Sequence, residues 1–89
     1  MVKEVLVNEP ADTLVRLSAN GEIRPTSFLW RNQTRYVSDL GRHWEERIAG
    51  KVVRCFLLQT VDNDTFELHY DAAENSWTVH RAWLRSKMV

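Results

Sequence analysis

The stretch FELHYDAAENSWTVHRAW, residues 66 to 83, constrains the fold more than any other part of the chain: two alternating runs flank a polar turn. A slip of one residue in a β-pair sends every side chain to the opposite face, so the apolar residues choose the register. Pairing Tyr70 with Trp77 sets Leu68 opposite Val79 and gathers Phe66, Leu68, Tyr70, Trp77 and Val79 on one apolar face, with Asp71 to Ser76 closing the turn. The other face then carries Glu67 across from His80 and His69 across from Thr78.

Turn chemistry elsewhere divides the chain in the same manner. Asn20-Gly21 is a hairpin signal, because both central positions of a type I′ turn need positive φ, and it separates TLVRLSA from EIRPTSFLWR. Pro25 lacks a backbone donor, so the second of these runs is expected to start as an edge or bulged strand and to pair fully from about Ser27. Asn32-Gln33 and Asp62-Asn63-Asp64 supply further turns, the second built from side chains that bond their own backbone. RYVSDLGRHWEERIAG fits two periods: Tyr36, Leu40 and Trp44 share a face of a strand, while Leu40, Trp44 and Ile48 are four apart as on a helix. We read it as a strand kinked at Gly41 and running to about Trp44, followed by a loop or single helical turn over 45–50. KVVRCFLLQTV is apolar on both faces, as a central strand covered on both sides would be.

The chain has 89 residues and 44% hydrophobic content, one small domain spanning 1–89, able to bury about two-thirds of its unfolded surface. Twelve basic and twelve acidic residues balance, so no global field draws it to nucleic acid or an anionic membrane. Its single cysteine, Cys55, excludes an intramolecular disulfide and a cysteine-rich zinc site, and reads as a buried inert thiol in a reducing compartment. No run is long enough for a signal-peptide core or a membrane span, so a cytoplasmic location is expected.

Two constellations carry chemistry. Glu67, His69 and His80 would stand within reach of one another on the polar face of the hairpin, and two imidazoles with a carboxylate can hold zinc or non-haem iron. The preferred reading of that face is a solvated one with a Glu-His cross-strand pair, because no group that would orient the imidazoles is visible. The second is the stripe Trp77, Val79, Arg81, Trp83, Arg85, two apart along the last strand. Alternating aromatic and guanidinium groups can stack single-stranded nucleic acid and neutralise its phosphates, and Arg31, Arg35, Arg42 and Arg54 could extend such a surface. The preferred reading is that Trp77 and Val79 are core, Trp83 closes the barrel mouth and the arginines lay their stems over the tryptophans. Asp62-Asn63-Asp64 lacks the spacing and distal glutamate of a calcium loop. His43 is isolated. No phosphate-binding glycine loop, nucleophile elbow or H-E-x-x-H helix is present, so catalysis is not expected, and no cofactor is implied.

Gly21, Pro25, Phe28, Trp30, Arg31, Tyr36 and Val37, then Trp44, Arg54 and Phe56, then the F-E-L-x-x-D and W-x-x-x-R-x-W hairpin form a pattern over residues 21–83. It resembles an uncharacterised bacterial family of small β-domains, found free-standing and at the C-terminus of mutagenesis proteins related to Y-family DNA polymerases. The resemblance implies an accessory or interaction domain linked to DNA damage tolerance, and it carries no catalytic residues. The chain departs from the pattern at Trp30-Arg31-Asn32-Gln33, where a tight W-R-G turn is expected, and after Trp44, where a further tryptophan is expected.

The expected fold is all-β: five or six antiparallel strands in a small, partly open barrel of SH3-like or similar kind, with at most one helical turn near 45–50. The expected core is Val15, Leu17, Phe28, Trp30, Tyr36, Val53, Cys55, Leu57, Phe66, Leu68, Trp77 and Val79. The leading function is a non-catalytic domain binding an unknown protein partner, with a homodimer through an exposed edge such as the N-terminal VKEVLV as one form. A nucleic-acid module using Arg81, Trp83 and Arg85 comes next, and a metal-dependent enzyme at Glu67, His69 and His80 last.

Overall fold

A computed structural model of the chain describes residues 2–85. They form seven strands: β1 Val2–Pro10, β2 Asp12–Leu17, β3 Ile23–Trp30, β4 Gln33–Ile48, β5 Lys51–Thr60, β6 Thr65–Asp71 and β7 Ser76–Arg85. All lie in one antiparallel sheet of order β1-β7-β6-β5-β4-β3-β2, and no helix occurs among the described residues. Seven strands replace the expected five or six.

The turns explain where the strands stop. Arg31 and Asn32 (φ 52° and 62°) join β3 to β4, and Ala49 and Gly50 (φ 50° and 80°) join β4 to β5, each with positive φ at both central positions, as in a type I′ hairpin. The helical turn expected over 45–50 is therefore absent: the strand runs on to Ile48. Asn20-Gly21, expected as a type I′ turn, instead belongs to a three-residue loop. Gly21 N–H donates to Ser18 O and Ser18 N–H to Glu22 O, and only Gly21 has positive φ. The β5–β6 loop repeats this plan, with Asn63 in the left-handed position and Thr60 N–H donating to Asp64 O.

β1 and β2 stand at opposite ends of the sheet, yet only Ala11 separates them. The sheet must curl until its two ends meet there, although they do not pair with each other and the ladder stays open. Side chains hold the ends instead: Glu9 on β1 accepts hydrogen bonds from Trp30 Nε1 at 2.8 Å and Arg31 Nε at 3.0 Å. The concave face encloses Phe28, Trp30, Phe56, Leu58, Phe66, Leu68, Val79 and Ala82. Phe66 sits centrally, edge-on to Phe28 and to Trp30 with ring centroids 5.0 and 5.5 Å away. Trp77 stacks on Tyr70 at 4.6 Å and packs against this cluster.

Four expected core residues lie elsewhere. Val15 and Leu17 belong to end strand β2 and are 41% and 68% exposed, and Tyr36 on β4 is 58% exposed. On β5 the inward residues are Phe56 and Leu58, so Leu57 turns to the convex face and is only half-buried. Val53 and Cys55 are buried as expected, but they share the parity of Leu57 and point outward too. Gly41 lies in the register break between Leu40 and His43, where a Cβ would come within 3.2 Å of Leu57 O. A close backbone approach is what glycine permits at such a bulge.

Candidate functional site

The convex face of the central strands carries a row of consecutive cross-strand partners: Trp44 on β4, Cys55 on β5, His69 on β6 and Thr78 on β7. Direct partners in an antiparallel sheet share a face. Glu67, two residues before His69, lies on that face as well, and His69 Nε2 is 2.6 Å from Glu67 Oε2. The Cys55 sulfur, a Glu67 carboxylate oxygen and a His69 ring nitrogen all lie within 4.8 Å of one another. Cys55 is fully buried, and Glu67 and His69 show only 13% and 12% of their side chains. Burial pushes the Cys55 thiol up to about 12, with the charges of Glu46 and Glu67 acting the same way. The thiol is a weak hydrogen-bond donor, 3.8 Å from Val53 O, and its burial favours the protonated form.

His80 stands differently from the place the sequence assigned to it. Leu68 pairs with Val79 but Glu67 pairs with Arg81, so His80 is an extra residue in β7. On its other side the break in the β1–β7 register sets Val7 and Asn8 against it, with Asn8 at φ 51°. His80 Nδ1–H donates to Asn8 Oδ1 at 2.7 Å, and its ring stacks on His69 with centroids 4.2 Å apart and 14° between planes. Burial, with the neighbouring His69 second, holds His80 below its ordinary pKa. An imidazole lone pair lies in the ring plane, so two parallel stacked rings cannot direct lone pairs at one ion. The structure brings Glu67 and His69 together and leaves His80 beside them, facing another way.

The bulge also divides the stripe on β7. Trp77 and Val79 pack with the core, but alternation shifts at His80, so Ala82 and Leu84 turn inward and Arg81, Trp83 and Arg85 outward. Glu4 on β1 takes up the polar groups of this outer segment: Trp83 Nε1 donates to it at 3.3 Å and Arg81 Nε lies 3.5 Å from it. The Arg85 amide donates to Asp64. Arg31 is paired with Glu9, Arg35 with Asp62 and Asp64, and Arg54 with Glu45. Arg42 lies over the Trp44 ring, 5.1 Å from its centre. The basic residues proposed for phosphate contact are thus largely met by carboxylates of this chain. The two carboxylates of the Asp62-Asn63-Asp64 turn are likewise engaged by Arg35. His43 stacks on Phe56 at 6.3 Å.

β2, which sequence reasoning assigned to the core, is a second feature able to bind something. Ser18 N–H donates to Glu22 O, and Pro25, opposite Val15, has no N–H to give. Alternation along an antiparallel pair then aims the backbone groups of Leu14 and Arg16 at β3 and those of Thr13, Val15 and Leu17 away from it. The Thr26 hydroxyl donating to Leu14 O, and the Ala11 N–H donating to Trp77 O, fit this parity. Beyond Ala11 the neighbouring strand runs out, since β7 starts at Ser76. A cleft of about 470 Å³ remains, walled by Thr13, Val15, Ile23, Tyr70, Asn75 and Trp77. Pro10-Ala11 was the available signal: a short break within an N-terminal strand run. β1, which includes VKEVLV, ends the sheet at its other side.

No helix among the described residues is long and apolar enough to cross a membrane. No family model, curated protein or solved structure matches the chain.

Proposed function

We propose that this chain is a non-catalytic protein-interaction domain that binds by strand addition at the free edge of β2. The observation that carries the reading is the run of outward-facing backbone groups at Thr13, Val15 and Leu17, set among exposed Leu14, Val15 and Leu17 beside an aromatic-walled cleft. Unpaired edges of this kind pair with another chain unless they are covered or charged.

The partner argued from the sequence of β2 is a second copy of the chain. Antiparallel self-pairing with Leu14 on the dyad sets Asp12 against Arg16 of the other copy, twice, and makes Thr13 and Val15 the hydrogen-bonded partners. Within one chain Arg16 lies directly opposite Arg24, a like-charge pair that destabilises a sheet. Asp12 of a second copy would relieve it. Among the described residues neither Asp12 nor Arg16 has a salt-bridge partner of its own. So short a pairing falls at the small end of specific interfaces, and the association is concentration-dependent.

The curled sheet with its slot beside β2 is read as a partly open barrel of SH3-like kind. The family resemblance over 21–83 supports an accessory role linked to DNA damage tolerance. The nucleic-acid alternative is less favoured because Glu4 already holds Arg81 and Trp83. Sedimentation velocity over a range of concentrations tests the proposal. A monomer–dimer equilibrium abolished by Leu14→Lys is the expected result; a monomer at every concentration would overturn the second-copy partner.

A further inference from the structure

We propose that Cys55, Glu67 and His69 form a binding site for one divalent transition-metal ion of zinc chemistry on the convex face of the sheet. The three donors are sulfur, carboxylate oxygen and imidazole nitrogen, a set that zinc accepts and that magnesium and calcium do not. Zinc bonds of about 2.3 Å to sulfur and 2.0–2.2 Å to nitrogen and oxygen, at tetrahedral angles, put neighbouring donors about 3.4–3.6 Å apart. The three donor atoms already lie within 4.8 Å of one another, so binding asks for small side-chain adjustments. The close Glu67–His69 contact opens by roughly 1 Å as the ion takes the Nε2 lone pair of the neutral imidazole, whose one N–H proton then sits on Nδ1.

The positions are well fixed. Cys55 and His69 are direct partners on adjacent strands, and Glu67 is two residues from His69 on the same face. His80, anchored by Asn8, backs the His69 ring by stacking and so limits its rotation. His80 is a positioning residue here and not a ligand, since its ring is parallel to that of His69. Binding replaces the thiol proton, which leaves to solvent, by a sulfur–metal bond, and no oxidation or reduction takes place. Three protein donors leave one position of a tetrahedral ion for water. The site is distant in the sheet order from β2 and does not depend on the interaction reading.

Cobalt(II) titrated into chelator-treated full chain, without a histidine tag, tests the site. The expected result is one equivalent bound, a thiolate-to-cobalt charge-transfer band and d–d absorption of tetrahedral intensity. Cys55→Ser should abolish the charge-transfer band, and His69→Gln and Glu67→Gln should weaken binding at least about tenfold. His80→Gln should keep the band. Circular dichroism shows which variants fold, and zinc should raise the thermal midpoint of the natural chain but not of folded Cys55→Ser. No cobalt absorption and no zinc-induced stabilisation would overturn the proposal. So would a cobalt spectrum without a thiolate band that disappears with His80→Gln, which would assign the ion to Glu67, His69 and His80.

Discussion

The indole Nε1 of Trp30 donates a hydrogen bond to Glu9 at 2.8 Å, tying β3 to β1, two strands that never pair in the sheet. Trp30 is 3% exposed, and Arg31, stacked over its ring at 4.4 Å, shares the same carboxylate. Trp30→Phe removes the donor and part of a buried ring, and should cost about 1–3 kcal/mol in urea unfolding. Glu9→Ala should lower the midpoint more than Glu9→Gln, which keeps an acceptor for the indole. Equal effects would show that the contact does not hold the ends of the sheet together.

The same carboxylate gives the fold a pH dependence. Glu9 is held below its ordinary 4.5 by the Arg31 guanidinium and the Trp30 indole. Asp62 is held below 3.8 although burial acts against it, because the Thr60 hydroxyl and Arg35 outweigh that burial. Near and below the ordinary values the unfolded chain therefore binds more protons than the folded one. The stability these groups supply is full above about pH 5 and is lost as pH falls through their lowered folded values. Urea midpoints measured from pH 6 to pH 3 should decline, and Glu9→Gln should flatten the decline. A variant with an unchanged slope would remove Glu9 from the account.

Ala49 opens the type I′ turn at φ 50°, a region where an alanine Cβ meets the following carbonyl. Asparagine tolerates it better. Ala49→Asn should stabilise the chain by on the order of 0.5–1 kcal/mol, read as a rise in the thermal midpoint. A fall would mean that the turn is of another type.

Phe66 touches Phe28 and Trp30 at the centre of the core and is fully buried. Phe66→Ala should cost about 3–5 kcal/mol, a large part of the stability of so small a domain. Loss of near-ultraviolet circular dichroism at ambient temperature would check it. A variant with a natural-like midpoint would contradict this placement of the core.

The hairpin over 66–83 was legible because its apolar residues admit one register, and the pairs Tyr70 with Trp77, Leu68 with Val79 and His69 with Thr78 are those the sequence indicates. What was not legible came from bulges. The extra residue at His80 leaves the local composition unchanged, yet it reverses which face Arg81 and Trp83 take. β5 is apolar on both sides, so the sequence alone could not choose Phe56 and Leu58 over Cys55 and Leu57 for the interior. Val15 and Leu17 look like core residues until the sheet order places β2 at its end. Cys55 near Glu67 and His69 depends on a cross-strand register between segments ten or more residues apart, which neither segment specifies by itself.

A charge exchange within β2 asks whether two copies pair along that strand. Sedimentation equilibrium of the natural chain, Asp12→Arg, Arg16→Asp and the double exchange reads the pairing of residue 12 with residue 16 across the dyad. Each single variant, where like charges meet, should form weaker dimers, and the double variant, where opposite charges face each other again, should recover. Dimers unaffected by the single changes, or a double variant no better than the worse single one, would contradict pairing through β2.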